Sequence, residues 1–196
     1  MVALKSQIDV NSESFAANRA SMMAFVERLR SLEARTEQAS AKRRSTFEKR
    51  GQLLPSDRLN CLLDPGMPFL RLHTLANFGV DDPDQDNSVP GASVMVGIGF
   101  VGGVRCMIWV DDSGISAGAM TAKTGEVVLS LQMICKRQKL PLIHLVESAG
   151  ANLLQYKVEL WSIFGAIFRN LAQMSAMGLP TLVVLHGGST AGGAYM

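Results

Sequence analysis

The composition of the chain favours small molecules or other proteins as partners over nucleic acid or lipid. The sequence has 196 residues, 47% hydrophobic and 18% charged, with a formal net charge of +2. This is enough apolar material for one core and at most one full domain. The charge is too small to indicate nucleic-acid binding, and no apolar run reaches the roughly 18 residues that would suggest a membrane span.

Cysteine usage and the first residues indicate a reducing compartment. The three cysteines are far apart and form no Cys-x-x-Cys pair, so they predict neither a disulfide framework nor a zinc ribbon. The first 20 residues include Asp9 and Glu13 and lack the apolar segment of a secretory signal. We expect a cytoplasmic protein, or one of the mitochondrial matrix if the source is a eukaryote.

Residues 12–50 predict one long amphipathic helix. They are polar and charged, and five apolar residues fall on one helical stripe: Phe15, Met22, Val26, Leu29 and Leu32. The second half of the helix carries a basic cluster: Lys42, Arg43, Arg44, Lys49 and Arg50. The cluster is either a solvated helix face or a binding site for a phosphorylated ligand.

The rest of the chain predicts alternating strands and helices. A short helix follows Gly51, and residues 81–90 read as a loop. The segment "ASVMVGIGFVGGVRCMIWVDD" predicts an antiparallel hairpin whose glycine turn needs positive φ. Apolar periodicity then predicts helices over 122–138 and 159–177, and apolar runs predict strands over 141–146 and 181–186.

Both predicted strands run directly into residues with almost no side chain. The first ends in "SAGA", 148–151, and the second in "GGSTAGGA", 187–194. Ligands of open α/β sheets bind beyond the carboxyl ends of the strands, where helix N-termini offer unpaired N–H groups to negatively charged oxygens. "SAGA" is therefore a candidate oxyanion hole, although small residues also serve tight strand-to-helix packing.

Other chemistries fit these turns less well. Neither turn has the lysine of a phosphate loop or the glycine spacing of a dinucleotide-binding loop. "GGSTA" resembles a nucleophile elbow around Ser189, but a hydrolase needs a histidine and an acid that the remaining residues do not offer. Glu147 is an acid–base candidate, although we favour a role in capping the next helix. The histidines lack metal-ligand spacing, so we assign no metal.

Four ordered segments resemble the amino-terminal half of the carboxyltransferase β subunit of biotin-dependent acyl-CoA carboxylases. They are "RGQLLPSDRLNCLLDPGMPFL" (50–70), "VPGASVMVGIGFVGGVRCMIWVDD" (89–112), "VESAGANL" (146–153) and "MGLPTLVVLHGGSTAGGAY" (177–195). "GANL" and "TAGGAY" are similar to the methylcrotonoyl-CoA and geranyl-CoA carboxylase branch. The resemblance implies a crotonase-like α/β fold, a spiral of ββα units, over 51–196, preceded by the helical region 1–50.

The resemblance also implies roles for individual residues. The amides of Ala149 and Gly150 would stabilise an enolate, and the alanine departs from a family pattern that usually has two glycines. The acyl group would contact these residues: Ser148, Ala151, Asn152, Ala117, Gly118, Ala191, Gly192 and Gly193. If the basic cluster binds a phosphorylated ligand rather than being a solvated face, the phosphates of CoA would meet these side chains: Arg44, Lys49 and Arg50.

The resemblance further implies what lies outside this chain. Carboxybiotin on a biotin-carrying α subunit or domain would supply the carboxyl group, and biotin would take the substrate proton. The β subunits would form a homo-oligomer, and a second domain of similar fold would supply the biotin pocket. We therefore expect an incomplete domain, either a fragment or a natural truncation, that is inactive alone; a non-catalytic acyl-CoA-binding or subunit-interaction fragment is the alternative. The sequence does not predict whether the acyl group is a branched five-carbon group or a longer isoprenoid one.

Overall fold

Three helices precede the sheet. The computed structural model describes residues 5–151 and 157–195. Helix α1 spans Glu13–Ala41 and begins at Ser12, whose hydroxyl accepts the Phe15 N–H. Helices α2, Arg44–Lys49, and α3, Pro55–Leu62, follow, the latter with proline in its first turn, where a missing N–H costs nothing.

The sheet has five strands in the order β1-β2-β3-β4-β5 among the described residues. The strands are β1 (Leu70–Leu72), β2 (Val94–Val101), β3 (Val104–Asp111), β4 (Leu142–Ser148) and β5 (Thr181–Ser189). Strands β1 to β3 pair antiparallel, and β3, β4 and β5 pair in parallel. Gly102 and Gly103 both have positive φ in the β2–β3 turn, which confirms the predicted hairpin.

Helices cover both faces of the sheet. Helices α4 (Ala122–Gln138) and α5 (Val158–Ala176) bury one face, where Trp109 lies with the helix residues Val128, Leu131, Ile167 and Met174. Leu59 of α3 packs on the other face against a second cluster that includes these residues: Ile108, Val110, Ile143 and Leu145. Because successive strand residues point to opposite faces, β3 and β4 contribute to both cores.

The amino-terminal region departs from prediction in two ways. The single helix expected over 12–50 breaks at Lys42 and Arg43, and α2 begins anew at Arg44 so that Phe47 is buried. The predicted apolar stripe is not a buried face, since only Thr36 and Ser40 of α1 are buried and Met22 is 62% exposed. Two buried hydroxyls of the helix instead make tertiary contacts: Thr36 Oγ1 accepts the Gly91 N–H at 2.8 Å, and Ser40 Oγ donates to Asp112 Oδ1 at 2.7 Å. Arg35 and Glu37 add contacts to the Gln85 carbonyl and to Arg71.

Candidate functional site

The turn after β4 is held by the hydroxyl of Ser148. Its Oγ donates to the Gly118 carbonyl at 2.7 Å and accepts the Gly150 N–H at 3.0 Å. Gly150 has φ +82°, and a Cβ there would lie 3.2 Å from the Cβ of Thr190. A glycine is therefore required at this point of the turn.

The Ala149 N–H, the first predicted hole donor, donates to the Ala117 carbonyl oxygen at 3.1 Å. Ala149 is not among the described non-glycine residues with positive φ, so alanine fits where the family usually has glycine. Both predicted donors are thus engaged inside the fold in this conformation. A thioester oxygen that accepts a hydrogen bond from the Ala149 N–H would have to replace the Ala117 carbonyl oxygen.

The loop that supplies this carbonyl is strained. Ser116, Ala117 and Gly118 have φ values of 48°, 54° and 69°, three consecutive left-handed residues of which only one is glycine. A non-glycine residue in this region costs about 1–3 kcal/mol. A Cβ at Gly118 would lie 2.5 Å from the Glu147 carbonyl oxygen, so the loop rests directly on β4.

A cavity of about 390 Å³ joins this turn to the basic region. Ala117, Ser148 and Ala149 line one part of it, and Arg43 and Arg50 line another. Of the three predicted phosphate-binding residues, therefore, only Arg50 lies on the cavity.

The break before α2 explains this difference. Arg44 instead pairs with Asp57 at 3.5 Å, and Lys49 is exposed and does not line the cavity. Arg43 and Arg50 flank the short helix and reach the cavity together. No proline or glycine marks the break, so the sequence could show the basic cluster but not which of its members share a direction.

A second, apolar cavity of about 90 Å³ lies beside Gly150. Its lining includes three predicted acyl-contacting residues, Ala151, Gly192 and Gly193, together with Phe164 and Phe168 of α5. Ala191 belongs by its backbone to the one-turn helix Ala191–Tyr195. The predicted contact Asn152 lies outside the described residues.

Glu147 caps no helix among the described residues. It lies inside β4, its carboxylate accepts hydrogen bonds from Arg58 and from Ser113 Oγ at 2.7 Å, and it lines the larger cavity. Burial acts to raise the pKa of Glu147, but the hydrogen bonds from Arg58 and Ser113 and the charges of Arg58 and His186 outweigh burial and lower that pKa. The group is therefore an anchored carboxylate at the wall of the site.

The nucleophile-elbow alternative receives no support from the geometry. Ser189 lies in β5, and no described residue forms a hydrogen bond with its Oγ. The nitrogens of His186 are likewise without a hydrogen-bond partner among the described residues, and burial lowers the pKa of His186. His144 is buried, stacks on Trp109 and lies 3.2 Å from Asp111, as a core histidine does.

Fold and site together define a class of protein: a crotonase-like fold whose small-residue turns enclose a backbone-lined cavity next to arginines. The sequence matches the model of the carboxyl transferase domain over residues 47–196. It is 40% identical over 156 residues to the biotin-dependent 3-methylcrotonyl-coenzyme A carboxylase beta1 subunit of Mycobacterium tuberculosis, covering 78% of this chain and 28% of that protein. It is 35% identical over 201 residues to the mitochondrial methylcrotonoyl-CoA carboxylase beta chain of Arabidopsis thaliana, covering 98% and 33%.

Solved structures agree on the fold. The crystal structure of the beta subunit of P. aeruginosa geranyl-CoA carboxylase superposes with a TM-score of 0.88 at 44% identity, covering 99% of this chain and 36% of that one. The transcarboxylase 12S structure, at 23% identity and a TM-score of 0.74, supports the fold alone.

The chain therefore belongs to the carboxyl transferase domain family, and the resemblance seen in the sequence is confirmed. It spans about a third of the length of the Arabidopsis relative and of the P. aeruginosa structure.

Proposed function

We propose that this chain is the acyl-CoA-binding part of the carboxyltransferase component of a biotin-dependent acyl-CoA carboxylase. The larger cavity carries the proposal, because it joins the small-residue turns to two arginines in one continuous space. A CoA thioester needs both: donors for its carbonyl oxygen and cations for its phosphates. The names of the relatives support the same reaction.

The proposed chemistry uses backbone amides rather than side chains. Removing a proton next to the thioester carbonyl, or at the vinylogous carbon of an unsaturated acyl group, moves an electron pair onto the carbonyl oxygen. Fixed N–H donors stabilise that oxygen by roughly 3 kcal/mol each. For the Ala149 amide to act, the Ala117 carbonyl must give up its hydrogen bond, and the strain at Ser116 and Ala117 favours such a shift.

The acyl group fits the apolar cavity between Gly150 and α5. Phe164 and Phe168 line this space of about 90 Å³, which suits a short branched acyl group, whereas a longer isoprenoid chain needs more room than it offers. Both acyl classes stay candidates, since the similar proteins include methylcrotonoyl-CoA and geranyl-CoA carboxylases.

Partners follow from the proposed reaction. Carboxybiotin, carried on an α subunit or domain, supplies the carboxyl group when bound; we assign neither of the two site cavities to biotin. Homo-oligomers of the β component and a location in the cytoplasm or the mitochondrial matrix belong to the same proposal. None of the helices in 5–151 and 157–195 has the length and apolar character needed to cross a bilayer.

Carboxyl transfer tests the proposal directly. The natural gene product, mixed with its biotin-carrying partner and labelled carboxybiotin, should transfer the label to methylcrotonoyl-CoA or geranyl-CoA. Binding of acyl-CoA without transfer by the natural gene product would instead favour a non-catalytic acyl-CoA-binding fragment. Ester hydrolysis that is lost in Ser189→Ala would favour the hydrolase.

A further inference from the structure

A carboxylate stands at the wall of the cavity that we propose for CoA. Glu147 lines this cavity, and its side chain is only 11% exposed. A buried negative charge there opposes the binding of phosphates unless a cation compensates it. The compensating group is therefore part of how the site works.

Arg58 is that group. Its guanidinium, with a side chain 10% exposed, donates to Glu147 Oε2, which also accepts the Ser113 hydroxyl at 2.7 Å. Gln52 Nε2 lies 3.4 Å from the other carboxylate oxygen. A Cβ on Gly187 would lie 2.6 Å from Glu147 Cγ, so β5 packs directly against the side chain and leaves it no room to turn away.

The same guanidinium contacts the basic helix from the other side. Arg58 lies over the ring of Phe47 at 5.5 Å from its centroid, and Phe47 is 5% exposed. Phe47 is on α2, between the two arginines of the cavity. The six-residue helix has no side-chain hydrogen bond at its N-cap, so its placement depends on such tertiary contacts.

We propose that Arg58 is a positioning residue for CoA recognition, holding Glu147 neutralised on one side and α2 in place on the other. Resting on the function proposed above, this assigns Arg58 no contact with the ligand. Its effect passes through Arg43 and Arg50, which bind phosphates, and through Glu147, whose charge it cancels. Arg58 thereby favours a thioester carrying phosphates over a thioester without them.

Two thioesters separate this role from a general stabilising one. Methylcrotonoyl-CoA carries phosphates, and the matching methylcrotonoyl-pantetheine does not. A positioning role for the phosphate-binding arginines changes the affinity for the first only. A purely structural role of Arg58 changes both affinities, or neither.

The experiment measures the dissociation constants of both thioesters with the natural gene product. Arg58→Met keeps most of the apolar stem but leaves the Glu147 carboxylate unpaired, and we expect weaker binding of methylcrotonoyl-CoA by about tenfold or more. Binding of the pantetheine thioester should change by less than about twofold, since this ligand has no phosphate for the unpaired Glu147 carboxylate to repel. Arg30→Met is the matched control: this arginine pairs with Glu27 on α1, lies off the cavity and is 65% exposed, so both affinities should stay within about twofold.

A double variant and a conservative one complete the test. Glu147→Gln added to Arg58→Met removes the uncompensated charge and should recover most of the lost CoA affinity. If Arg58→Met does not fold, Arg58→Lys serves instead, because it keeps the charge but loses the planar contact with Phe47. It should weaken the binding of methylcrotonoyl-CoA and leave the binding of the pantetheine thioester unchanged. Equal losses for both thioesters, or none, in a folded Arg58 variant would overturn the inference, whereas a wild-type protein that binds no CoA would overturn the proposed function instead.

Discussion

Strands β4 and β5 have the same sequence pattern and opposite environments. Each is an apolar run that ends in small residues, and the two pair in parallel, Ile143 with Leu182 and Leu145 with Val184. Every residue of β4 is buried, whereas Leu182 is 52% exposed and Val184 45% exposed. The pattern therefore predicts a strand and its turn but not whether the strand is buried.

The neighbours of each strand decide its burial. β4 lies between β3 and β5, with α4 and α5 over one face and α3 over the other, whereas β5 has one hydrogen-bonded neighbour among the described strands. The turn of the candidate oxyanion hole, 148–151, continues β4. The turn after β5 is attached to it by a hydrogen bond of 3.2 Å from the Thr190 N–H to the Ser148 carbonyl. The more strongly fixed strand thus carries the turn that has to be placed most accurately.

Matched truncations of one leucine in each strand should show the largest difference. Leu142 is 0% exposed, and Leu142→Ala should lower the unfolding free energy of the 196-residue chain by about 2–5 kcal/mol through lost contacts and a cavity. Leu182→Ala should cost less than about 1 kcal/mol, because half of that side chain already lies in solvent. Urea titrations of both variants, at a concentration where sedimentation shows the monomer, measure this, and equal costs would break the comparison.

Substitutions at the ends of the two strands should differ in their effect on kcat. Ala149→Pro removes one proposed hole donor, so we expect a loss of roughly 10²–10³ in kcat of the natural gene product. Ala149→Gly keeps the amide and serves as the control. Ser189→Ala, at the last residue of β5, should change kcat little, because no described residue forms a hydrogen bond with the Ser189 Oγ. Unchanged turnover in Ala149→Pro would place the hole elsewhere.

Much of the fold could be predicted from the sequence because it depends on local signals. Glycine at 102 and 103 and the apolar periodicity of 159–177 specify a hairpin and a helix whatever surrounds them. The helix break at Arg43 could not be predicted, since it depends on contacts between distant segments. Phe47 turning inward to meet Arg58 is one such contact.

The site was predictable only in part for the same reason. "SAGA" showed a turn that lacks side chains, and the structure places Ala149 beside the cavity. Nothing local indicated that Ala117 would accept its amide from 32 positions earlier in the chain, or that Glu147 would pair with Arg58. The hydroxyl of Ser148, which holds both sides of the turn, also needed the structure to be recognised.

The exposed strand should make the isolated chain self-associate. Edge strands with apolar side chains pair with other chains, and Leu185 is 55% exposed. Leu185→Lys in residues 1–196 should therefore lower the weight-average mass seen by sedimentation at a given concentration. Leu29→Lys, at an exposed site on α1, is the control and should leave that mass closer to wild type. A wild-type chain that stays monomeric at high concentration would contradict this expectation.

The smallest effect is a pH dependence that belongs to β4. Partners in the fold hold the pKa of Glu147 below its ordinary value of 4.5, so the folded state binds fewer protons there than the unfolded state does. The stability that this carboxylate contributes is therefore fully present above about pH 4.5 and declines as the pH falls through the lowered pKa.

Glu147→Gln cannot titrate, so the difference in unfolding free energy between wild type and variant should be constant from pH 5 upward and shrink below it. His186 on β5 also has a lowered pKa, and the Glu147 charge is one of the charges that act on it, so its titration would not cancel in the difference. Both proteins are therefore compared in a His186→Gln background. Urea titrations from pH 3.5 to 7 measure the difference, and a value that grows toward acid would show that Glu147 is not the anchored carboxylate at the end of β4.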